Sequence, residues 1–372
     1  MEQVLIILLI LSNLQFSFGQ SSKLWGVTST GGIHNSGTIF CINNDGTNFS
    51  KVYDFEPHIG YSFGALLHLE DKLWGMTTGG NQEKKGKHGV IFHLNDDGTN
   101  FKIAHYFDGN NGSHPLGELV EKNGKLWGMT NLGGKHNKGV IFNLSKDGRN
   151  FQVIHHFDGN NGSYPRNSLL FHKGKFWGTT TKGGFNNLGV IFNLNVDGSR
   201  IKQVYNFERK KGAEPEAGLI FSNGKLWGTT ARGGKNNEGS IFSFDPTNNT
   251  FLKIHDLVYP VLGELIESNQ HLWGMIALRG EENCGIIFSI DPIKTSYKKI
   301  HDFDCENGRF PEGNLLERGS VLWGLTRFGG ASNMGVIFSL TKDGRTFSKV
   351  FDFNNASGGV PYSTLIEVPY QK

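Results

Sequence analysis

Two glutamates stand at equivalent points of a sequence that repeats itself, and they are the strongest candidates for chemistry. Glu118 and Glu264 each directly precede a leucine that we expect to begin an inner β-strand. Two carboxyl groups at a suitable separation can act as acid and base in the cleavage of a glycosidic bond. The alternative is that both carboxylates only line a water-filled channel. In the other repeats the same point is occupied by Ala65, Ser168, Gly218, Asn314 and Thr364.

Two polar segments place oxygen ligands at alternate positions, as a calcium loop does. One begins with Asp108 and Asn110, and the other with Asp158 and Asn160. Both lack the second carboxylate and the terminal bidentate glutamate of strong calcium motifs, so a polar turn is the main interpretation and calcium the alternative. No other cofactor is expected, because the sequence contains no zinc-ligand spacing, nucleophile elbow or phosphate-binding loop.

A repeat of about fifty residues must position all of these side chains. Its marker is a phrase such as Leu126-Trp127-Gly128, and the steps between successive tryptophans are 49, 53, 50, 50, 46 and 50 residues. A period of this size is typical of a propeller or another repeat architecture. The seven tryptophans are Trp25, Trp74, Trp127, Trp177, Trp227, Trp273 and Trp323.

Each repeat carries four strand signals separated by turn signals. In the third repeat the predicted strands are 118–121, 125–130, 139–144 and 151–157. Asn123-Gly124 and Asp147-Gly148 are expected to form type I′ turns with positive φ at both residues. Four antiparallel strands in each of seven units predict an all-β, seven-bladed β-propeller.

The ends of the chain are expected to close the ring. The segment from Lys23 to Gly26 matches a second strand, whereas Ser363 to Glu367 matches a first strand. Pairing between them would complete one blade and remove the exposed sheet edges. We therefore read residues 20–372 as a single domain.

Two recurring ring positions are interpreted as packing. The tryptophans are expected to fill the wedges between blades, which leaves none to stack on a sugar. In the last strand, Tyr53, His105, His155, Tyr205, His255, His301 and Phe351 occupy one position. This interchange indicates a need for a flat ring, not for a titrating nitrogen.

Both long loops of each blade should emerge on one face, where variable residues on a fixed frame could encode binding specificity. Cations outnumber anions among these residues, so an acidic glycan is one conceivable ligand. A solvated rim without a ligand is the alternative. The candidate binding residues are His34, Lys135, His136, Phe185, Lys235, Arg279 and Phe328.

The order and spacing of about ten positions per repeat resemble the GloVer (Gloeobacter/Verrucomicrobia-type) tandem repeat. The residues that carry this resemblance include Leu126-Trp127-Gly128, Gly133-Gly134, Gly139-Val140-Ile141-Phe142, Asp147-Gly148 and Pro165. The family usually has Leu-Tyr-Gly where this chain has Leu-Trp-Gly or Phe-Trp-Gly. The resemblance implies an exported propeller, without an established activity or catalytic residues. Family members often carry a surface anchor after the repeats, and we expect none here.

An apolar run from Val4 to Leu11, followed by Ser17-Phe18-Gly19, predicts a signal peptide over residues 1–19 and a secreted, extracellular protein. Export permits a disulfide between Cys284 and Cys305, with unpaired thiols as the alternative, and leaves Cys41 free. Glycosylation sequons occur at Asn48, Asn111, Asn143, Asn161, Asn248 and Asn355.

These features favour a secreted binding protein that recognises a glycan or an extracellular protein through its long-loop face. One alternative is an enzyme acting on extracellular polysaccharide with Glu118 and Glu264. The other is a structural matrix protein or a secreted effector. We expect a monomer without a membrane span, and the small net charge of +3 gives no reason to invoke nucleic acid.

Overall fold

The computed structural model describes residues 22–80 and 86–369, which form strands and turns but no helix. The predicted signal peptide, residues 1–19, lies outside this part of the chain. Nowhere in the described ranges is there a helix that could cross a membrane. The strands are β1 (Ser22–Val27), β2 (Thr38–Asn43), β3 (Ser50–Asp54), β4 (Leu67–Leu69), β5 (Lys72–Thr77), β6 (Val90–Asn95), β7 (Lys102–Tyr106), β8 (Val120–Lys122), β9 (Lys125–Thr130), β10 (Val140–Ser145), β11 (Gln152–His156), β12 (Leu170–His172), β13 (Lys175–Thr180), β14 (Val190–Asn195), β15 (Lys202–Asn206), β16 (Ile220–Ser222), β17 (Lys225–Thr230), β18 (Ser240–Asp245), β19 (Thr250–Asp256), β20 (Ile266–Ser268), β21 (His271–Ile276), β22 (Ile286–Asp291), β23 (Ser296–Asp302), β24 (Leu316–Arg318), β25 (Val321–Thr326), β26 (Val336–Thr341), β27 (Phe347–Asp352) and β28 (Ile366–Pro369).

The strands form seven sheets of four antiparallel strands, which confirms the predicted seven-bladed β-propeller. Blade 1 has the order β28-β1-β2-β3, and blades 2 to 7 take four consecutive strands each, from β4–β7 to β24–β27. Each blade starts with a three- or four-residue inner strand and ends with its outermost strand. Both long connections of a blade therefore leave the sheet on the same face, called here the loop face.

The ring closes as predicted, because the last strand joins the first. In blade 1, Leu24 pairs with Glu367 and Trp25 pairs with Ile366. The backbone of β1 thus has a partner on both sides, and the inner edge that it would otherwise expose is covered.

In blade 3 the inner strand begins later than predicted, at Val120 and not at Glu118. The reason is visible in the hydrogen bonds, since the Glu118 N–H donates to Ser168 Oγ of the next blade at 3.0 Å. Glu118 therefore lies in an extended segment that faces the axis of the ring. The outer strand β11 is shorter than predicted at both ends.

The two hairpin turns of a blade differ, and one of the two turn predictions is wrong. Asn123 and Gly124 have φ of 55° and 73°, as a type I′ turn requires. In the Asp147-Gly148 turn only Gly148 has positive φ, at 84°. Asp147 instead accepts the N–H of Arg149 at 3.0 Å through its side chain. The aspartate thus closes a local side-chain turn, and of the Asp147-Gly148 pair only the glycine is left-handed, followed by Asn150 with φ of 54°.

The tryptophans fill the wedges between blades, as predicted. Trp127 is 1% exposed, and its ring centre lies 4.7 Å from that of Phe176 in blade 4. The glycine that follows is required by packing, because a β-carbon at Gly128 would lie 2.5 Å from Phe142 Cζ.

The ring position of the outer strand forms a second contact between blades. Tyr205 stacks on Phe251 of the next blade, with ring centres 4.2 Å apart and an angle of 2° between planes. His105 stacks on Phe151 in the same way at 3.7 Å. Burial lowers the pKa of His105, which keeps the ring neutral at neutral pH. The position therefore selects a flat ring, which confirms the packing prediction.

Candidate functional site

The segments before the seven inner strands enclose a channel on the axis of the propeller. The deeper part of this channel is called here the channel floor, and the cavity that extends from the floor to the opening has a volume of about 100 Å³. At about 30 Å³ per molecule, it has room for roughly three waters. The side chains of the floor are those of Glu118, Ser168, Glu264, Asn314 and Thr364, together with the backbone of Gly218.

Both predicted glutamates lie in the channel floor. The Glu264 N–H donates to Asn314 Oδ1 at 2.6 Å, just as Glu118 donates to Ser168. The Glu264 carboxylate accepts the N–H of Ser168, two blades away. It can do so because Gly218 lies between them, where a β-carbon would overlap the carboxylate. The Glu118 carboxylate accepts the N–H of Ala65.

The two carboxyl groups affect each other's ionisation. Burial raises the pKa of Glu118 to about 7. Burial and then the charge of Glu118 raise the pKa of Glu264 to about 8. Near neutral pH the pair therefore retains at least one proton, as expected for like charges in a poorly solvated site. One group can donate a proton while the other accepts one.

Above the floor the channel widens into a mouth of about 170 Å³ on the loop face. Sequence reasoning missed its residues, although each lies two positions before the floor residue of its blade. Because side chains alternate along an extended chain, residues two apart share a face, and this signal could have identified them. The mouth residues are Phe63, Leu116, Arg166, Glu216, Leu262, Glu312 and Tyr362.

A strained backbone clamp holds the loops that carry the mouth residues. In five loops the residue before a proline is left-handed without being glycine, as at Tyr164 with φ of 58°. The Tyr164 N–H donates to Lys138 O of the preceding blade, and Tyr164 O accepts from Thr181 of its own blade. These two bonds offset a conformational cost of roughly 1–2 kcal/mol. The five clamp residues are His114, Tyr164, Glu214, Phe310 and Val360.

One side of the mouth is charged. Arg166 Nη1 lies 3.3 Å from Glu216 Oε2, and Arg327 Nη1 lies 3.3 Å from Glu312 Oε1. Burial raises the pKa of Glu312, while the neighbouring guanidinium of Arg327 opposes that shift. The mouth therefore offers planar donors and acceptors in close pairs, which suit hydroxyl and carboxylate groups of a ligand.

The other side of the mouth is aromatic. The rings of Phe63 and Tyr362 meet edge to face with centres 4.5 Å apart, and Tyr61 lies 5.4 Å from Phe63. Tyr61 is 43% exposed. The Arg327 guanidinium carbon lies 4.3 Å from the Tyr362 ring centre and joins the two sides.

The seven binding residues predicted from the sequence are not brought together. The Lys135 N–H donates to the side chain of His156, and the Lys235 N–H donates to Asp256, each at the end of an outermost strand. Arg279 of blade 6 donates to Val258 O, just after the same outer strand β19 that ends at Asp256. The seven residues are therefore distributed over the loops of six blades along the rim, and two of them, Lys135 and His136, share blade 3. Phe185 in this rim is 93% exposed. Of the seven, His34, Lys135, His136, Phe185, Lys235 and Arg279 are exposed and only Phe328 is half-buried.

In the two candidate calcium loops the aspartates serve the backbone. Asp108 Oδ1 accepts the N–H of Asn111, and Asp158 Oδ1 accepts those of Asn160 and Asn161. Within the described ranges no three acidic, histidine or cysteine side chains form a metal-binding group. The polar-turn interpretation accounts for these contacts, and the calcium role remains a prediction for Asp108, Asn110, Asp158 and Asn160.

The cysteine predictions are confirmed, whereas glycosylation remains a prediction. Cys284 and Cys305 form a disulfide that joins two loops of blade 6, and Cys41 is free and buried, both as predicted. Asn143 is 1% exposed in the central strand β10, so the fold leaves no room for a glycan there. Among the other sequons, Asn48, Asn248 and Asn355 are exposed, and Asn111 and Asn161 are half-buried.

Solved structures of other proteins have a fold similar to that of this chain. The periplasmic gluconolactonase of Pseudomonas aeruginosa matches with a TM-score of 0.61 at 15% identity, covering 94% of this chain and 99% of that one. A puromycin-hydrolyzing peptidase from Mycobacterium tuberculosis matches with a TM-score of 0.58 at 8% identity, covering 89% and 52%. At such identities the similarity concerns the fold alone.

No curated protein matches the sequence. The profile of the Gloeobacter/Verrucomicrobia repeat matches residues 81–260 and 254–370, which together make up more than half of the chain. This match agrees with the resemblance read from the repeat positions. The chain therefore belongs to the Gloeobacter/Verrucomicrobia repeat family.

Proposed function

We propose that this protein binds a carbohydrate at the mouth of its central channel. The observation that carries the proposal is the pairing of two kinds of surface around one opening. The rings of Tyr61, Phe63 and Tyr362 form one side, and the Arg166–Glu216 and Arg327–Glu312 pairs form the other. Sugar rings present apolar C–H faces to aromatic side chains and hydroxyl groups to charged planar ones. A few convergent polar groups beside an apolar wall are typical of ligand sites.

The rigidity of the mouth supports binding. Five of its loops are held by backbone hydrogen bonds to two blades. The backbone of these loops is therefore already ordered before a ligand binds. A preorganised site loses less conformational entropy when a ligand binds. This role would place the specificity in side chains that differ between blades and not in the repeated frame.

We further propose that the protein works outside the cell, with residues 1–19 as its signal peptide. The apolar segment from Val4 to Leu11 and the small residues near Gly19 support this proposal. The Cys284–Cys305 disulfide fits an oxidising compartment.

The test is binding of purified residues 20–372 to a panel of oligosaccharides, with and without calcium. We expect selective binding that weakens at least tenfold in Tyr362→Ala and Phe63→Ala. Phe185→Ala is the matched control, because it removes an exposed aromatic ring from the rim of the same face. Loss of binding only in Phe185→Ala would show that the binding site lies on the rim and not at the mouth. An empty panel with folded protein would overturn the proposal and direct the search to extracellular protein partners.

One observation favours a second function, the hydrolysis of polysaccharide by Glu118 and Glu264. Their raised pKa values leave one group protonated and the other able to ionise near neutral pH. The test is release of reducing ends from polysaccharides that the protein binds. Loss of this activity in Glu118→Gln and Glu264→Gln with unchanged affinity would support hydrolysis. Equal activity in these variants would exclude it.

A further inference from the structure

Blade 7 departs from the other blades at two facing points of its loops. The dipeptides Arg309-Phe310 and Arg327-Phe328 lie opposite each other, joined by Arg309 N–H to Phe328 O at 2.8 Å and Phe328 N–H to Arg309 O at 3.0 Å. Other blades make this pair of bonds with different side chains, such as Ser163 with Lys182. The backbone frame is constant, so the substitution of two Arg-Phe pairs is a local specialisation.

These four side chains continue the aromatic side of the mouth. The Arg309 guanidinium carbon lies 5.5 Å from the ring centres of both Phe310 and Phe328. Arg327 lies 4.9 Å from Phe328 and 4.3 Å from Tyr362, which leads on to Phe63. The whole set is called here the arginine–aromatic strip, and it consists of Tyr61, Phe63, Tyr362, Arg327, Phe328, Phe310 and Arg309.

The two arginines of the strip differ in charge balance. Arg327 is paired with Glu312, whereas Arg309 has no ion-pair partner in residues 22–80 and 86–369. The Nε atoms of Arg309 and Arg327 are both buried without a hydrogen-bond partner. A ligand cannot reach these buried Nε atoms, so a carboxylate would bind the outer nitrogens of the half-buried Arg309 guanidinium, whose charge no acidic side chain of the described residues balances.

We propose that the arginine–aromatic strip binds an acidic polysaccharide, with a sugar carboxylate on Arg309 and neighbouring sugar rings along the aromatic side chains. This inference rests on the proposed function and names its ligand class. The strip leads from the channel mouth into the loops of blade 7, so it contacts several consecutive sugar rings and not a single terminal sugar.

A single-stranded nucleic acid would also use aromatic rings and arginines. The charges of the mouth argue against it, because Glu216 and Glu312 neutralise Arg166 and Arg327. A backbone with one phosphate per nucleotide would meet a single unpaired cation on the strip. A polysaccharide with spaced carboxylates matches that charge pattern better.

The experiment compares a hyaluronate tetrasaccharide, in which only alternate sugars carry a carboxylate, with its methyl ester by calorimetry at low salt. We expect the wild-type chain, residues 20–372, to bind the acid at least tenfold more tightly than the ester. Arg309→Ala should abolish this difference while it leaves the affinity for the ester within twofold. Arg279→Ala removes an exposed arginine from the rim of the neighbouring blade and should leave the difference intact. Arg309→Gln repeats the test if the alanine variant does not fold.

The outcomes separate the two proposals. Equal affinity for acid and ester, or an unchanged preference in Arg309→Ala, would overturn the acidic ligand while carbohydrate binding stands. Failure to bind either compound, or any other oligosaccharide, would overturn both. Tighter binding of oligodeoxythymidylate than of the hyaluronate tetrasaccharide would overturn the polysaccharide ligand in favour of a nucleic acid.

Discussion

The wedges between blades and the mouth of the channel are built from the same seven repeats, but they use repetition in opposite ways. Every wedge contains a buried tryptophan, and six of the seven pairs of neighbouring outer strands are joined by stacked rings. At the mouth, seven equivalent positions carry five residue types. A wedge has the same shape each time and so requires the same side chain. A ligand at the mouth would contact several blades at once. The specificity of the mouth therefore depends on side chains that differ from blade to blade.

The largest effect should come from the wedges. Trp127→Ala should lower the free energy of unfolding by about 3–5 kcal/mol, because it removes a ring that is 1% exposed and leaves a cavity. Guanidinium denaturation measures the change. Phe185→Ala is the control on the exposed rim and should stay within about 0.5 kcal/mol of the wild type. A loss below about 1 kcal/mol for Trp127→Ala would contradict the distinction between wedge and loop face.

A smaller loss of stability, which appears as the pH rises, is expected from the channel floor. A carboxyl group whose pKa is raised by folding binds its proton more tightly in the folded state, so stability falls as pH rises through that pKa. Because burial raises the pKa of Glu264 to about 8, the wild type should lose roughly 2 kcal/mol between pH 6 and 9.

Glu264→Gln cannot ionise, so its stability should change much less over the same interval. Denaturation curves of both proteins at pH 6, 7, 8 and 9 provide the comparison, and groups common to both cancel in the difference. Parallel profiles would show that ionisation of Glu264 does not affect stability, and would contradict the prediction.

The smallest effect concerns the ring stacks between outer strands. Tyr205 stacks on Phe251, but its hydroxyl group is buried without a partner. Tyr205→Phe keeps the ring and removes that hydroxyl, so it should leave stability equal or raise it by up to about 1 kcal/mol. Tyr205→Leu loses the stack and should cost roughly 0.5–1.5 kcal/mol. If both variants lose the same stability, the position depends on the hydroxyl and not on the ring.

The fold was predictable because its determinants are local and repeated. The spacing of Trp127 and its equivalents indicates the number of blades. Ring closure is indicated because the segment at Lys23 matches a second strand, whereas the segment at Ser363 matches the first strand that this blade lacks. The floor was also predictable, since Glu118 and Glu264 precede the inner strands of opposite blades. The prediction for the Asp147-Gly148 turn was wrong because an Asp-Gly pair is compatible both with a type I′ turn and with the turn observed here, which the aspartate side chain closes.

The mouth was not predicted, for a physical reason. Its shape depends on the path of the long connections from each outer strand to the next inner strand, such as residues 157–169. No local sequence pattern specifies the path of a connection of that length. The variable residues Lys135 and Phe185 therefore seemed the best binding candidates, although their loops bend outward to cap the outer strands. Arg309 and Tyr362 lie in the other loop, and only the assembled ring brings them to one surface.

The pairing of Leu24 with Glu367 has a consequence for the order of folding during synthesis. The second strand of blade 1 is synthesised before blades 2 to 7, but its first strand becomes available only after residues 366–369 have left the ribosome. Blades 2 to 7 can each form from a contiguous stretch of chain, whereas β1 must wait with one edge unpaired. Contacts of such long sequence separation form slowly and leave strand edges open to aggregation. A chain that stalls before β28 would therefore form an open ring with unpaired strand edges, and only the synthesis of β28 allows the ring to close.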